Sequence, residues 1–333
     1  MTSLLIQTAF LGDVVLTTPL LQVLADREGP LDVVTTPGAR PLLETHPAVR
    51  RVIPYDKRGE DRGWTGFARM VRQLRRGRYP RAWLPHRSWR SGALAVFAGI
   101  GERIGFTDGA RTLYTRSVPR PSEGHEVERL LALAEPGDSP APPVRIMTTD
   151  DDERAAREWL DGHGVRPGFI AVAPGSIWGT KRWPYYEELA LRLDRDVVAV
   201  GGPDDHGLGD RAAHAAGSRG HNAAGSLSLR ASTALIARAA ALITNDSAPL
   251  HLATAAGTPV IALFGPTIPA FGFGPRGPAD EALGVTGLGC RPCSRHGPQV
   301  CPLGHHHCMR HLDPETVEKA AFRVLAATAG RKE

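Results

Sequence analysis

Short apolar runs alternate with amphipathic stretches along this chain. Leu4-Leu5-Ile6 reads as a strand, and Asp13 to Ala25 has helical apolar spacing through Val14, Leu16, Leu20, Leu21 and Leu24. Leu31 to Thr35 and Val52-Ile53 read as further strands. Trp64 to Arg76 predicts a basic amphipathic helix with Trp64, Phe67, Val71 and Leu74 on one side, and Ala82-Trp83-Leu84 another strand. The Pro-rich stretch Glu135 to Val144 reads as a linker, after which the pattern restarts. A helix is expected over about Asp151 to His163, its first turn rich in acids. Strands are expected at Phe169 to Ala173, at Val197 to Val200, and on either side of Asn245-Asp246-Ser247. Asp313 to Ala327 reads as a closing helix, capped by Asp313 with Pro314 in its first turn. Such alternation predicts an α/β fold of parallel sheets covered by helices. The expected domains are 1–145 and 146–312, with 313–333 a C-terminal helix packing back toward the first domain.

Length and composition agree with two cores. The chain has 333 residues, 42% hydrophobic and 23% charged. No apolar run reaches the roughly 20 residues of a bilayer crossing. The apolar start lacks a basic leader and reads as a first buried strand, so a cytoplasmic location is expected. The net charge is +5, and the basic excess is local, running from Lys57 and Arg58 through Arg69, Arg72, Arg75 and Arg76 to Arg87 and Arg90. It fits either a solvated face or an anionic partner.

Four places could carry chemistry. Gly12-Asp13 follows the first strand, where a carboxylate could act as general base or simply cap the next helix. Pro174-Gly175-Ser176 through Lys181-Arg182-Trp183-Pro184 follows the first strand of the second half. Its glycine and serine allow close backbone approach to phosphate, and Lys181 supplies a mobile cation; the alternative is a solvated surface loop. Gly201-Gly202-Pro203-Asp204-Asp205 ends the next strand, where a carboxylate suits a ribose or a helix start. Asn245-Asp246-Ser247-Ala248-Pro249-Leu250-His251 is a strand-to-helix turn of the kind that attracts phosphate. Separately, Cys290, Cys293, Cys301 and Cys308 lie among histidines, open to a zinc site or to free thiols in a structured loop. A zinc-dependent nucleic-acid module would need aromatic-basic interleaving that the chain lacks, so no nucleic-acid partner is expected.

In their order and spacing these motifs resemble glycosyltransferase family nine, the bacterial heptosyltransferases. The resemblance rests on Gly12 to Leu20, Pro174 to Pro184, Gly201-Gly202-Pro203, Asn245 to Ala253 and Ala256 to Thr267. The cysteine segment, Cys290-Arg291-Pro292-Cys293 through Cys308-Met309, is similar to the heptosyltransferase II branch. Ala248 departs from the glycine usual in the family motif. The resemblance implies a GT-B fold, two Rossmann-like domains facing a central cleft. It implies an inverting transfer of heptose from ADP-heptose to the lipopolysaccharide inner core at the cytoplasmic face of the inner membrane, with no cofactor required. Residue by residue, it implies Asp13 as base and Lys181 at the leaving diphosphate. Ser176 and the backbone of Ser247, Ala248, Pro249 and Leu250 would hold phosphates. Asp205 would bind ribose, Leu227 would lie near adenine, and Asp246 and His251 would orient the sugar-diphosphate. Arg58, Arg87 and Arg90 are expected at the anionic acceptor. The alternatives are another acceptor or sugar, as in heptosyltransferase I, or a nucleotide-sugar epimerase of similar fold.

Overall fold

The computed structural model describes residues 2–135 and 140–329. The chain divides into two compact units, 1–147 and 148–333. The boundary lies two residues beyond the expected one, and linker residues 136–139 lie outside the described residues.

The first unit holds β1 (Leu4–Ile6), β2 (Leu31–Thr35), β3 (Val49–Pro54), β4 (Arg81–Leu84), β5 (Glu102–Phe106) and β6 (Arg116–Val118). They form one parallel sheet in the order β3-β2-β1-β4-β5-β6. The order reverses between β1 and β4, and open α/β sheets bind ligands beyond the carboxyl ends of strands at such a switch. The helical stretch expected from Asp13 is two helices, Leu11–Leu16 and Thr18–Glu28. Pro19 has no N–H to continue the first helix and opens the second. At the break, the Thr17 hydroxyl donates to the Asp13 carbonyl (2.6 Å) and accepts from the Gln7 amide (2.9 Å). The basic helix spans Gly63–Gly77 and buries Gly66, Met70, Val71 and Leu74. Trp64, expected on that apolar side, is instead 85% exposed.

The second unit repeats the plan with β7 (Ile170–Ala173), β8 (Val197–Ala199), β9 (Gly220–Asn222), β10 (Ala241–Asn245), β11 (Val260–Leu263) and β12 (Glu281–Leu283). Their parallel order is β12-β11-β10-β7-β8-β9, with the switch between β7 and β10. Every residue of β7, β8, β10 and β11 is buried, as expected of strands covered on both faces.

The closing helix, Pro314–Ala329, is capped as expected: the two Asp313 carboxylate oxygens accept from the Thr316 N–H and hydroxyl at 2.8 Å. Its apolar stripe (Val317, Ala320, Ala321, Val324) is buried in one core with Ile261, Leu263 and Leu189. The closing helix thus covers one face of the second sheet. Among the described residues, no helix is long and apolar enough to cross a membrane. A charge beneath the closing helix finds no partner: Val317→Asp is expected to destabilise the second unit by about 3 kcal/mol or more. Urea unfolding checks this, and an unchanged midpoint would mean the helix is dispensable.

Candidate active site

The motifs of the second half converge at the carboxyl ends of β7, β8 and β10. Lys181 ends a single 3-10 turn, Gly179–Lys181, in the loop after β7. Its Nζ donates to the Asp246 carboxylate (2.6 Å) and to the Asp246 carbonyl (3.1 Å). Both residues are buried. The same carboxylate oxygen accepts from the Thr267 hydroxyl at 2.7 Å. The cation expected to be mobile is thus fixed across the switch point. Beside it, the Asn245 amide donates to the carbonyls of Ala173, Pro174 and Gly175, and its oxygen accepts from the Trp183 N–H at 3.1 Å. One fully buried side chain therefore ties the loop after β7 to the turn after β10.

Asp246-Ser247 leads into the helix Ala248–Ala256. Pro249 contributes no N–H, and the Leu250 N–H donates to the Ser247 carbonyl at 3.1 Å. The N–H groups of Ser247 and Ala248 are then the backbone donors this turn can offer an anion. His251 lies buried on the first turn with its ring against the edge of Phe273. The buried Ser176 hydroxyl accepts from the Trp178 N–H at 3.3 Å.

Asp205 accepts from the Gly202 N–H at 3.1 Å and packs onto glycine. A Cβ at Gly175 would stand 1.9 Å from the Asp205 carboxylate, so any larger residue there requires that side chain to shift. The Gly225 N–H donates to the Gly201 carbonyl (3.1 Å), which brings the loop carrying Leu227 beside that of Asp205. Leu227 is half-buried just before Ser228, the cap of the helix Leu229–Ile236.

The cysteine segment has a role that sequence reasoning missed. Arg291 donates to the carbonyls of Phe264, Gly265, Thr267 and Val285 at 2.6–3.1 Å. It thereby fixes the loop that puts Thr267 on Asp246. Farther along, the Thr180 N–H and hydroxyl both donate to the Pro298 carbonyl. Gln299 exchanges side-chain hydrogen bonds with the backbone of Gly179 and Ile177 (3.1 and 2.9 Å). The segment is a strap over both halves of the Lys181–Asp246 pair. The only signal in sequence was an arginine between cysteine and proline. Among the described residues, no group of three or more His, Cys, Asp or Glu is placed to hold a metal ion. Cys290, Cys293, Cys301 and Cys308 form no disulfide and are free thiols. Burial and its neighbouring thiols push Cys308 up to about 11.

In the first unit, Asp13 occupies the third position of its helix and accepts from the Phe10 N–H at 3.2 Å. From there it returns a capping hydrogen bond to the residue that precedes the helix. Burial, then the Glu126 carboxylate, raise its pKa to about 6, against the pull of the Phe10 N–H and Arg120. Glu126 is itself paired with Arg120 at 2.5 and 2.6 Å. Elsewhere at the carboxyl end of β1, Lys57 Nζ donates to the Thr8 carbonyl (2.7 Å) and hydroxyl (3.1 Å). His86, after β4, lies within hydrogen-bond distance of the Ile6 carbonyl through Nδ1 (3.1 Å), so the proton sits there. Its Nε2 faces the Thr8 and Ser91 hydroxyls. Burial and then the Lys57 charge lower its pKa to about 4, so it is neutral at physiological pH. Neither Lys57 nor His86 was singled out from sequence as a site residue.

The three arginines expected at an acceptor differ. Arg58 is exposed and lies over the Phe10 ring at 5.8 Å. Arg87 is exposed and pairs with Asp108 at 3.3 Å. Arg90 is committed: its Nε donates to the Tyr55 hydroxyl (2.5 Å) and its Nη2 to the Asp61 (3.0 Å) and Gly63 carbonyls. It serves as a brace for this corner of the unit.

Two parallel sheets of this order, one carrying a cationic clamp and a helix start at its switch point, define a protein of two Rossmann-like domains with an anion-binding turn in the second. Comparison with known proteins agrees. The profile of glycosyltransferase family 9 (heptosyltransferase) matches residues 67–303. Lipopolysaccharide heptosyltransferase 2 of Salmonella typhimurium is 31% identical over 303 residues, covering 80% of this chain and 84% of that protein. Lipopolysaccharide heptosyltransferase 1 of Pseudomonas aeruginosa is 30% identical over 319 residues, covering 87% and 85%. The solved ADP-heptose lipopolysaccharide heptosyltransferase II of Escherichia coli superposes with a TM-score of 0.80 at 26% identity, covering 99% and 100%. The chain belongs to glycosyltransferase family 9.

Two outcomes test the geometry. Lys181→Met leaves the Asp246 carboxylate buried without its cation and should cost about 3–5 kcal/mol. Adding Asp246→Asn should recover much of that loss in urea unfolding; equal loss in both variants would mean the pair is not what holds the turn. For Asp13 the folded pKa lies above the ordinary carboxylate value of 3.8. The folded state therefore binds the extra proton, and stability is lost as pH rises from about 4 through about 6. Asp13→Asn should stabilise the protein at pH 7.5 by on the order of 2 kcal/mol and far less at pH 4. Thermal unfolding at the two pH values checks the sign.

Proposed function

We propose that this enzyme transfers heptose from ADP-heptose to the inner core of lipopolysaccharide, with inversion at the anomeric carbon, at the face of the membrane that carries the acceptor. The observation that carries the reading is the Lys181–Asp246 clamp beside the Ser247–Ala248 turn, in a chain with about 30% identity to heptosyltransferases over most of their length. Two of the three ammonium donors of Lys181 go to Asp246, which leaves one for a phosphate oxygen. That donor and the N–H groups of Ser247 and Ala248 offset the charge that develops on departing ADP. Ser176 holds a phosphate, Asp205 the ribose hydroxyls, Leu227 the adenine, and His251 the sugar-diphosphate.

In this proposal Asp13 takes the proton from the acceptor hydroxyl as its oxygen attacks the anomeric carbon opposite the leaving ADP. A carboxylate held at about 6 is a stronger base than an ordinary aspartate and is still ionised at neutral pH. Arg58 and Arg87 meet the anionic sugars of the acceptor. The similarity to a heptosyltransferase 1 over 87% of the chain favours a second reading, in which the same donor is used on an earlier core acceptor.

Transfer assays with ADP-heptose and defined core acceptors decide between the two readings. With the better acceptor, kcat/KM should fall about tenfold per unit below pH 6, because the base must be deprotonated. Asp13→Asn should lose about 10²- to 10⁴-fold in transfer while ADP-heptose affinity stays within a few-fold. Unimpaired turnover in that variant removes Asp13 from the mechanism, and absence of transfer to any core acceptor refutes the function.

A further inference from the structure

Two adjoining helices of the first unit, Gly63–Gly77 and Trp89–Phe97, hold large aromatic rings in solvent. Trp64 is 85% exposed, Trp89 61% and Phe97 55%. Trp64 stands edge-on to Phe67 at 6.1 Å, and Phe67 edge-on to Phe97 at 6.0 Å. Trp89 lies roughly two turns before Phe97 on the same face of its helix. None of the exposed rings is needed to seat its helix, since Gly66, Met70, Val71 and Leu74 bury the first and Ser91, Gly92, Leu94 and Ala95 the second.

Arginines frame these rings. Arg72 and Arg75 share the flank of Trp64 along the helix, and Arg69, Arg72, Gln73 and Arg76 line a shallow groove on it. Arg75 reaches across to the Phe97 carbonyl at 2.8 Å. Arg69 pairs with Asp61, but among the described residues no carboxylate pairs with Arg62, Arg72, Arg75 or Arg76. Uncompensated arginines beside exposed tryptophans match a bilayer interface, where indoles settle at headgroup level and guanidinium groups meet lipid phosphates. The surface also borders the turn after β1. Arg90 covers the Phe67 ring at 5.6 Å and acts electrostatically on Lys57, whose ammonium is bonded to Thr8.

We infer that this face docks the protein on an anionic lipid bilayer, with Trp64, Trp89 and Phe97 at the headgroup level and Arg72, Arg75 and Arg76 against lipid phosphates. The inference deepens the proposed function, which calls for an acceptor anchored in a membrane, but it is read out separately. Full-length protein is sedimented with sucrose-loaded vesicles of phosphatidylcholine, with and without one quarter phosphatidylglycerol. Binding should be at least tenfold tighter to the anionic vesicles and should weaken with salt. Trp64→Ser/Trp89→Ser and Arg72→Glu/Arg76→Glu should each weaken it at least tenfold. A charge-matched control, Arg157→Glu/Arg295→Glu, should bind as the parent does. Both surface variants should keep parental kcat/KM on a delipidated, water-soluble acceptor. Failure of the parent to bind anionic vesicles, or equal losses in the control, overturns the docking surface. Vesicle binding without transfer to soluble acceptor would instead refute the proposed function and leave the surface standing.

Discussion

The second unit is organised by the buried contact of Lys181 with Asp246 at the point where its strand order reverses. An ion pair out of water has a desolvation cost that only good geometry offsets. Here the geometry comes from neighbours. Asn245 fastens the backbone before Lys181, Thr267 shares the carboxylate, and Arg291 holds the loop that carries Thr267. These groups arrive from separate stretches of chain, and the sheet brings them to one place. The motif around Asp246, which in sequence looks like a ligand-binding turn alone, is also the knot that fixes three loops.

The first unit meets a different constraint. After its first strand comes a carboxylate that the surrounding structure makes uncomfortable, and the same unit holds a histidine kept neutral and a lysine bonded to backbone oxygen. Burying an acid near another acid disfavours its charge, and that same disfavour raises its affinity for a proton. Local instability and basicity are one quantity seen from two sides.

Much of this was legible in the chain. Strands buried on both faces, such as Ile170–Ala173 and Ala241–Asn245, appear as unbroken apolar runs, and the glycine and proline turns after them marked the loops that matter. The edge strands Gly220–Asn222 and Arg116–Val118 were not legible, because short polar strands owe their pairing to a neighbour and not to their own pattern. The break at Thr17 was missed because apolar periodicity runs straight through it. Individual side chains were harder still. Arg90 and Arg58 are indistinguishable in a basic run, yet one is a brace and the other is exposed over an aromatic ring. Lys181 looked mobile because its partner lies 65 positions away.

The contact between Gly175 and Asp205 couples two loops at the carboxyl ends of β7 and β8. A methyl group at 175 meets the Asp205 carboxylate, so the glycine can change only if that side chain swings away, and the acid at 205 can lengthen only by moving off the glycine. A change at either position is therefore felt at the other. The loop that carries Leu227 is drawn into the same coupling, because its Gly225 N–H donates to the Gly201 carbonyl.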